Sequence, residues 1–174
     1  MPITAIKYAT TAEQTAGSGI DWVDLENIVG EPDDVNYATC SLTVLNSNSD
    51  EITLGAPGYG IAFPPGARIT AIKITVRAKA DSLLGSPLLT IEIVDGHGAT
   101  IGSSTQAIDD TSAKDYTYTL STLGLLSRGL GKLFRPHITV ADEIAAVAVI
   151  SIDSVGAQIT WKPGTRRGSR TRGR

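Results

Sequence analysis

Five arginines crowd the last nine residues, Arg166, Arg167, Arg170, Arg172 and Arg174, spaced by Gly, Ser and Thr with no acid among them. A flexible polycation of this kind suits three tasks: solvating a chain end, contacting nucleic acid, or docking on a carboxylate-rich protein surface. The tail has no aromatic for base stacking. The rest of the chain holds ten basic against eighteen acidic residues, a net of −8 that repels a polyanion. Protein docking is therefore the favoured reading, and nucleic acid is not an expected partner. Arginine suits that role because its planar fork holds a carboxylate through two parallel hydrogen bonds.

The other reactive residue types lead away from catalysis. His97 and His137 are the only histidines, forty positions apart, and no spacing beside them spells a metal site. His97 lies in Asp95-Gly-His-Gly98, which reads as an exposed hairpin tip. Cys40, the single cysteine, sits between Thr39 and Ser41 in an expected strand with no cationic neighbour to activate it, so it reads as a small buried hydrophobe. No Gly-x-Ser-x-Gly elbow exists, and Gly102-Ser103-Ser104 reads as a hairpin turn. Gly129-Leu-Gly131-Lys132 is followed by Leu133 where a phosphate loop needs Ser or Thr. Six acids fall between Asp21 and Asp34 with no base among them, yet they lack the alternate spacing of a calcium loop. That stretch reads as a solvated or partner-facing loop. The expectation is a non-enzyme with no catalytic, cofactor or metal residues.

Composition fits this picture. The 174 residues are 41% hydrophobic, 19% charged and only 5% aromatic, so one core of Ile, Val, Leu and Ala is expected. The longest apolar run, Ile144 to Ile150, has seven residues, far short of the ~20 that span a bilayer. The start, Met1-Pro2-Ile3-Thr4, has no basic segment followed by an apolar one, so a secretory signal is not expected and neither is a membrane partner.

Strands must position whatever works here. Ile72-Lys-Ile-Thr-Val-Arg-Ala-Lys-Ala80 alternates apolar and polar throughout, placing Ile72, Ile74, Val76 and Ala78 inward and Lys73, Thr75, Arg77 and Lys79 outward. Leu89–Val94 and Tyr116–Leu120 repeat the pattern, and weaker strands are expected at Ile3–Ala9, Ala38–Leu45, Glu51–Leu54, Gly60–Phe63 and Ile138–Val140. Residues Ile144–Trp161 change phase near Ser151 and Asp153, which predicts one long strand bulged near Ser154–Gly156, or two strands meeting there. Leu123–Phe134 has helical spacing weakened by three glycines and reads as a loop with at most two helical turns. Thr10–Gly19 and Pro163–Arg174 offer no core face. These elements predict an all-β fold, a single antiparallel β-sandwich of jelly-roll type with extended N- and C-terminal arms. The expected divisions are a strand or arm over 1–19, the sandwich over 20–163 and the flexible arginine arm over 164–174.

One order of residues resembles a known group. Trp22 is followed by Asn27 and then Asp34-Val-Asn-Tyr-Ala-Thr39. Gly60-Ile-Ala-Phe-Pro-Pro-Gly-Ala-Arg-Ile-Thr-Ala-Ile72 leads into the alternating strand, and Ile152-Asp-Ser-Val155 precedes the last one. This is similar to small β-sandwich structural proteins of tailed-bacteriophage virions, over about half the chain. In them a Trp and an Asn precede Asp-x-x-Tyr-Ala-Thr, and an aromatic-x-Pro-x-Gly-Ala-x-Ile turn starts a long strand. Where the group usually has Asn-Pro-x-Asn-Ala after the Trp, this chain has Glu26-Asn-Ile-Val-Gly30. The resemblance implies a virion structural protein, made in the host cytoplasm. The leading expectation is a capsid decoration (cement) protein on the outer head surface, bridging major capsid subunits as a homo-oligomer and docking through the arginine arm. A neck or tail adaptor or fibre-base component is the alternative. From another class stands a glycan-binding jelly roll; sugar platforms want exposed aromatics, and most of the nine aromatic residues here fall on core-phased positions. Under the resemblance Tyr37 and Phe63 close the two ends of the core, and Pro64-Pro65 blocks further strand pairing.

Overall fold

The computed structural model describes residues 1–17, 19–43, 47–55, 57–62, 64, 66–121, 134–143 and 147–164. Ten strands form: β1 Lys7–Tyr8, β2 Ala12–Thr15, β3 Ala38–Leu42, β4 Glu51–Leu54, β5 Arg68–Ala80, β6 Leu88–Val94, β7 Thr100–Ala107, β8 Lys114–Ser121, β9 Arg135–Ala141 and β10 Ala148–Lys162. Sheet A runs β1-β10-β5-β8, with β3 also on β10; sheet B runs β2-β4-β9-β6-β7. All these pairings are antiparallel. From β3 to β10 the chain visits the sheets in the order A, B, A, B, B, A, B, A. That path is a jelly roll: β3-β10-β5-β8 packs on β4-β9-β6-β7, and β1 and β2 are added from the N-terminal segment.

Burial follows the period-two reading. Ile72, Ile74, Val76, Ala78 and Ala80 of β5 lie opposite Ile159, Ala157, Val155, Ile152 and Ile150 of β10, all inside the core. Leu89, Ile91 and Ile93 of β6 and Ile138 and Val140 of β9 supply the opposing layer. The register of β10 on β5 shifts between Ile152 and Ser154. Asp153 is thus the extra residue of a bulge, one position before the expected one.

Several expectations change. Ala12–Thr15, read as lacking a core face, is a strand because its backbone pairs with the β4 edge from Ala12↔Leu54 to Thr15↔Glu51. Backbone pairing needs no large side chains. Gly102-Ser103-Ser104 is not a turn but the middle of β7, opposite Ile93, Glu92 and Ile91. A Cβ at Gly102 would press on the Tyr118 hydroxyl and Leu120 of the facing sheet, which would have to shift to admit it. Residues 60–62 form no strand; Pro57–Gly60 is a 3-10 turn, with Tyr59 at φ 53° and stacked on Phe134. The first strand shortens to Lys7–Tyr8 plus a bridge of Ile3 to Thr160. Tyr37 does not close the core. It lies on the outer side of sheet A, its ring 3.9 Å from Lys79 Nζ. Ser18, residues 44–46, Ala56, Phe63, Pro65, 122–133, 144–146 and 165–174 lie outside the described residues, and with them all of the Leu123–Phe134 reading but Phe134 itself, and the whole arginine arm.

Candidate functional site

Two outer sheet faces carry the polar chemistry, and they are built differently. On sheet A, Arg77 projects outward from the middle of β5. It donates from Nε and Nη2 to both carboxylate oxygens of Asp34, at 2.6 and 2.7 Å, and from Nη1 to Asp115 Oδ1 on β8 at 3.0 Å. The bulge turns Asp153 under the same guanidinium, 3.7 Å from Nε, with its side chain only 1% exposed. Asp153 also accepts the backbone N–H groups of Asp33 and Asp34 at 3.2 and 3.3 Å. Asp34 takes a left-handed conformation, φ 58°, to present both its amide and its carboxylate. The Arg77 hydrogen bonds hold the Asp34 carboxyl below its ordinary value. Burial pushes Asp153 the other way, against the two amides that favour its anion.

Trp22, Asn27 and Asp33 brace the same loop. Trp22 is buried and its indole N–H donates to Asp50 O at 2.9 Å, while Asn27 Nδ2 donates to Tyr37 O at 3.2 Å. Asp33 Oδ1 accepts the amides of Val35 and Asn36, forming a tight cap. The loop from Ile20 to Tyr37 is therefore tied down at several points. Its outer surface still shows Val23, Val29 and Val35, which are 56%, 39% and 75% exposed, among acids.

Sheet B presents a polar row instead. The register aligns Glu13, Thr53, His137, Glu92 and Ser103 across all five of its strands. His137 Nδ1 lies 2.8 Å from Glu51 Oε1 and its Nε2 lies 3.4 Å from Thr53 Oγ1, so the ring is held between a carboxylate and a hydroxyl. Beside this row opens a pocket of about 390 Å³ lined by Thr53, Val94, Asp95, Gly96, Gly98, Arg135 and His137. Asp95 Oδ1 accepts the amides of His97 and Ala99, which stiffens the turn at the rim. The fold thus brings the His97 turn beside His137, a proximity with no trace in sequence spacing. Arg135 makes no ion pair among the described residues.

Cys40 is buried, and burial, with the charges of Asp50 and Asp21, pushes its thiol up to about 12. It is an inert core residue. No group of three or more His, Cys, Asp or Glu among the described residues is arranged to hold a metal ion. No described helix is long and apolar enough to cross a membrane. The expected docking residues Arg166, Arg167, Arg170, Arg172 and Arg174 lie outside the described residues; the chain reaches Gly164 packed beside Gly66, at the end of the sandwich where β10 finishes. Sequence reading missed Asp153, Arg77 and Arg135 as site-forming residues; the broken phase at Asp153 was the one available signal.

No protein-family model matches the chain, and no curated protein does. Among solved structures, the enzymatically active domain of tailspike protein 4 of bacteriophage CBA120 is 14% identical at a TM-score of 0.47, over 86% of this chain and 19% of that one. The family 29 carbohydrate-binding module CBM29_1 of Piromyces equi is 10% identical at 0.44, over 92% of this chain and 93% of that one. The CBM22-1 xylan-binding domain of Paenibacillus barcinonensis Xyn10C is 13% identical at 0.45, over 91% and 94%. The chain spans about a fifth of the tailspike structure and nearly all of the two modules.

Proposed function

We propose that this chain is a non-catalytic structural module that docks on a larger protein assembly, with a virion head as the setting implied by the Trp22, Asn27 and Asp34–Thr39 pattern. The observation that carries the reading is the braced loop. A segment of eighteen residues, Ile20 to Tyr37, with little regular structure is fixed by the buried Asp153, by Arg77 and by Trp22, yet exposes valines among carboxylates. A surface held rigid before it meets its partner loses little entropy on docking. The arginine arm extends the reach: ten residues past Gly164 span up to ~33–36 Å when stretched. Its contacts are individually weak, about 0.2–1 kcal/mol, and salt-sensitive. Mixing purified protein with virion heads that lack it, and imaging them, tests the proposal. Ordered density on the head lattice is expected, with occupancy lower for a chain ended after Gly164, most of all at low salt. Particles that stay bare, or density only at the neck or tail, overturn the head assignment.

A second reading has its own observation. The pocket on sheet B gathers a guanidinium with no ion pair among the described residues, an imidazole, a hydroxyl and a carboxylate, the groups that hold a glycan by hydrogen bonds. None of the described aromatic side chains is exposed, so recognition there runs through polar contacts and not through a stacking platform. Binding of any saccharide at this pocket, followed by amide chemical shifts in β6 and β9, supports it; no shifts with a broad glycan panel removes it.

A further inference from the structure

We propose that the sheet B pocket selects an acidic saccharide, a sugar chain carrying a hexuronate carboxylate, with Arg135 taking the carboxylate and Asp95, Thr53 and His137 taking hydroxyls. This rests on the glycan reading of that pocket and narrows its ligand.

The argument begins with the balance of donors and acceptors. Arg135 is half-buried, has no ion pair among the described residues, and stands on β9 two positions from His137, so both side chains leave the same face. A guanidinium fork in a partly desolvated pocket is matched by a planar carboxylate. The groups around it are acceptors. Asp95 uses one oxygen for the amides of His97 and Ala99, and those bonds keep its carboxyl ionised with the second oxygen still able to accept. Glu51 holds His137 Nδ1 at 2.8 Å, and the other ring nitrogen, 3.4 Å from Thr53 Oγ1, faces the polar side of the pocket. Glu92 lies opposite His137 in the register and accepts from Thr100.

One cation beside the Asp95 carboxylate, with Glu51 and Glu92 next to His137 on the same sheet, disfavours a dianion such as phosphate and rewards a ligand with one negative charge and many O–H donors. A uronate residue has that composition; a neutral sugar lacks the anion. Gly96 and Gly98 leave the rim of the pocket clear of side chains. A volume of about 390 Å³ lies in the range of small-ligand sites, ~300–1,000 Å³.

The test titrates the full chain with galacturonate and glucuronate oligosaccharides, their neutral methyl esters and inorganic phosphate, read by calorimetry and amide shifts. The acid forms are expected to bind at least about tenfold more tightly than the esters, the size of one charge-assisted pair. Arg135→Gln should abolish that preference with an unchanged thermal midpoint, and Arg135→Lys should keep part of it. Equal binding of acid and ester, or undiminished preference in Arg135→Gln, overturns the acidic selectivity and leaves the glycan reading standing. Binding of no saccharide at all overturns both. Phosphate that competes as well as the uronates overturns the proposal in favour of a general anion site.

Discussion

The outward faces of sheets A and B use a similar stock of charged residues to opposite ends. On sheet A one guanidinium is saturated by Asp34, Asp115 and Asp153, and a loop is folded down over the strands. On sheet B the guanidinium of Arg135 is left without an ion pair among the described residues, beside an open pocket. The difference lies in the backbone. A bulge at Asp153 sinks a carboxylate into sheet A, and a buried carboxylate requires a cation and amides around it. The described register of β9 with β6 runs without a shift, so its polar residues stay at the surface. A buried charge recruits structure; a surface charge remains available to a ligand.

The contrast is broken most severely by Arg77→Met. Asp153 then keeps only its two amides, and we expect a loss of about 2–3 kcal/mol in urea unfolding, below the ~3–5 kcal/mol for a fully buried pair because the Arg77 side chain is 25% exposed. A cost under about 0.5 kcal/mol, the level of an ordinary surface site, means that the loop is not held by this cluster.

The second prediction concerns acid. Asp33 and Asp34 are held below the ordinary value of 3.8, so their contribution is present above that pH and lost as pH falls. Asp153 is raised, so its protonated form is favoured by folding and its contribution has the opposite sign, lost as pH rises through its raised value. Asp153→Asn removes that opposing limb. Urea midpoints of the variant should therefore fall more steeply than those of the wild type between about pH 5 and 3. A parallel or shallower fall shows that Asp153 is not protonated more readily in the folded state.

Lys79→Ala sharpens the comparison at a smaller scale. On the alternating pattern alone Lys79 is a solvated side chain, but its ammonium lies 3.9 Å from the centre of the Tyr37 ring. We expect a loss of about 0.5–1 kcal/mol, and none if the contact is absent in solution. Smallest of all, Arg135→Gln should move stability by less than about 0.5 kcal/mol, as for other surface substitutions away from special contacts. A larger loss means that Arg135 braces sheet B as Arg77 braces sheet A.

Much of the scaffold was legible. The alternation of Ile72 to Ala80 placed each of those side chains on its correct face, because a period of two is set by backbone geometry and the apolar half has to leave water. The β7 strand was not legible, because its inward positions are Gly102, Ser104 and Gln106, and a bulge at Ile101 breaks the period. Only the Tyr118 and Leu120 side chains of β8 explain why small residues stand there. The β2 strand hid for a similar reason: its four residues are held by hydrogen bonds to β4, which composition does not report.

The sequence by itself determined an all-β sandwich, an inert Cys40, an exposed His97 turn and an acidic body with a cationic end, since local periodicity, turn chemistry and charge need no partner to be read. The tertiary structure alone decided that Asp34, Asp115 and Asp153 meet on Arg77, and that Asp95, Arg135 and His137 share one pocket. Those residues lie far apart along the chain, and only the register of antiparallel strands and the position of one bulge bring their side chains within a few ångströms.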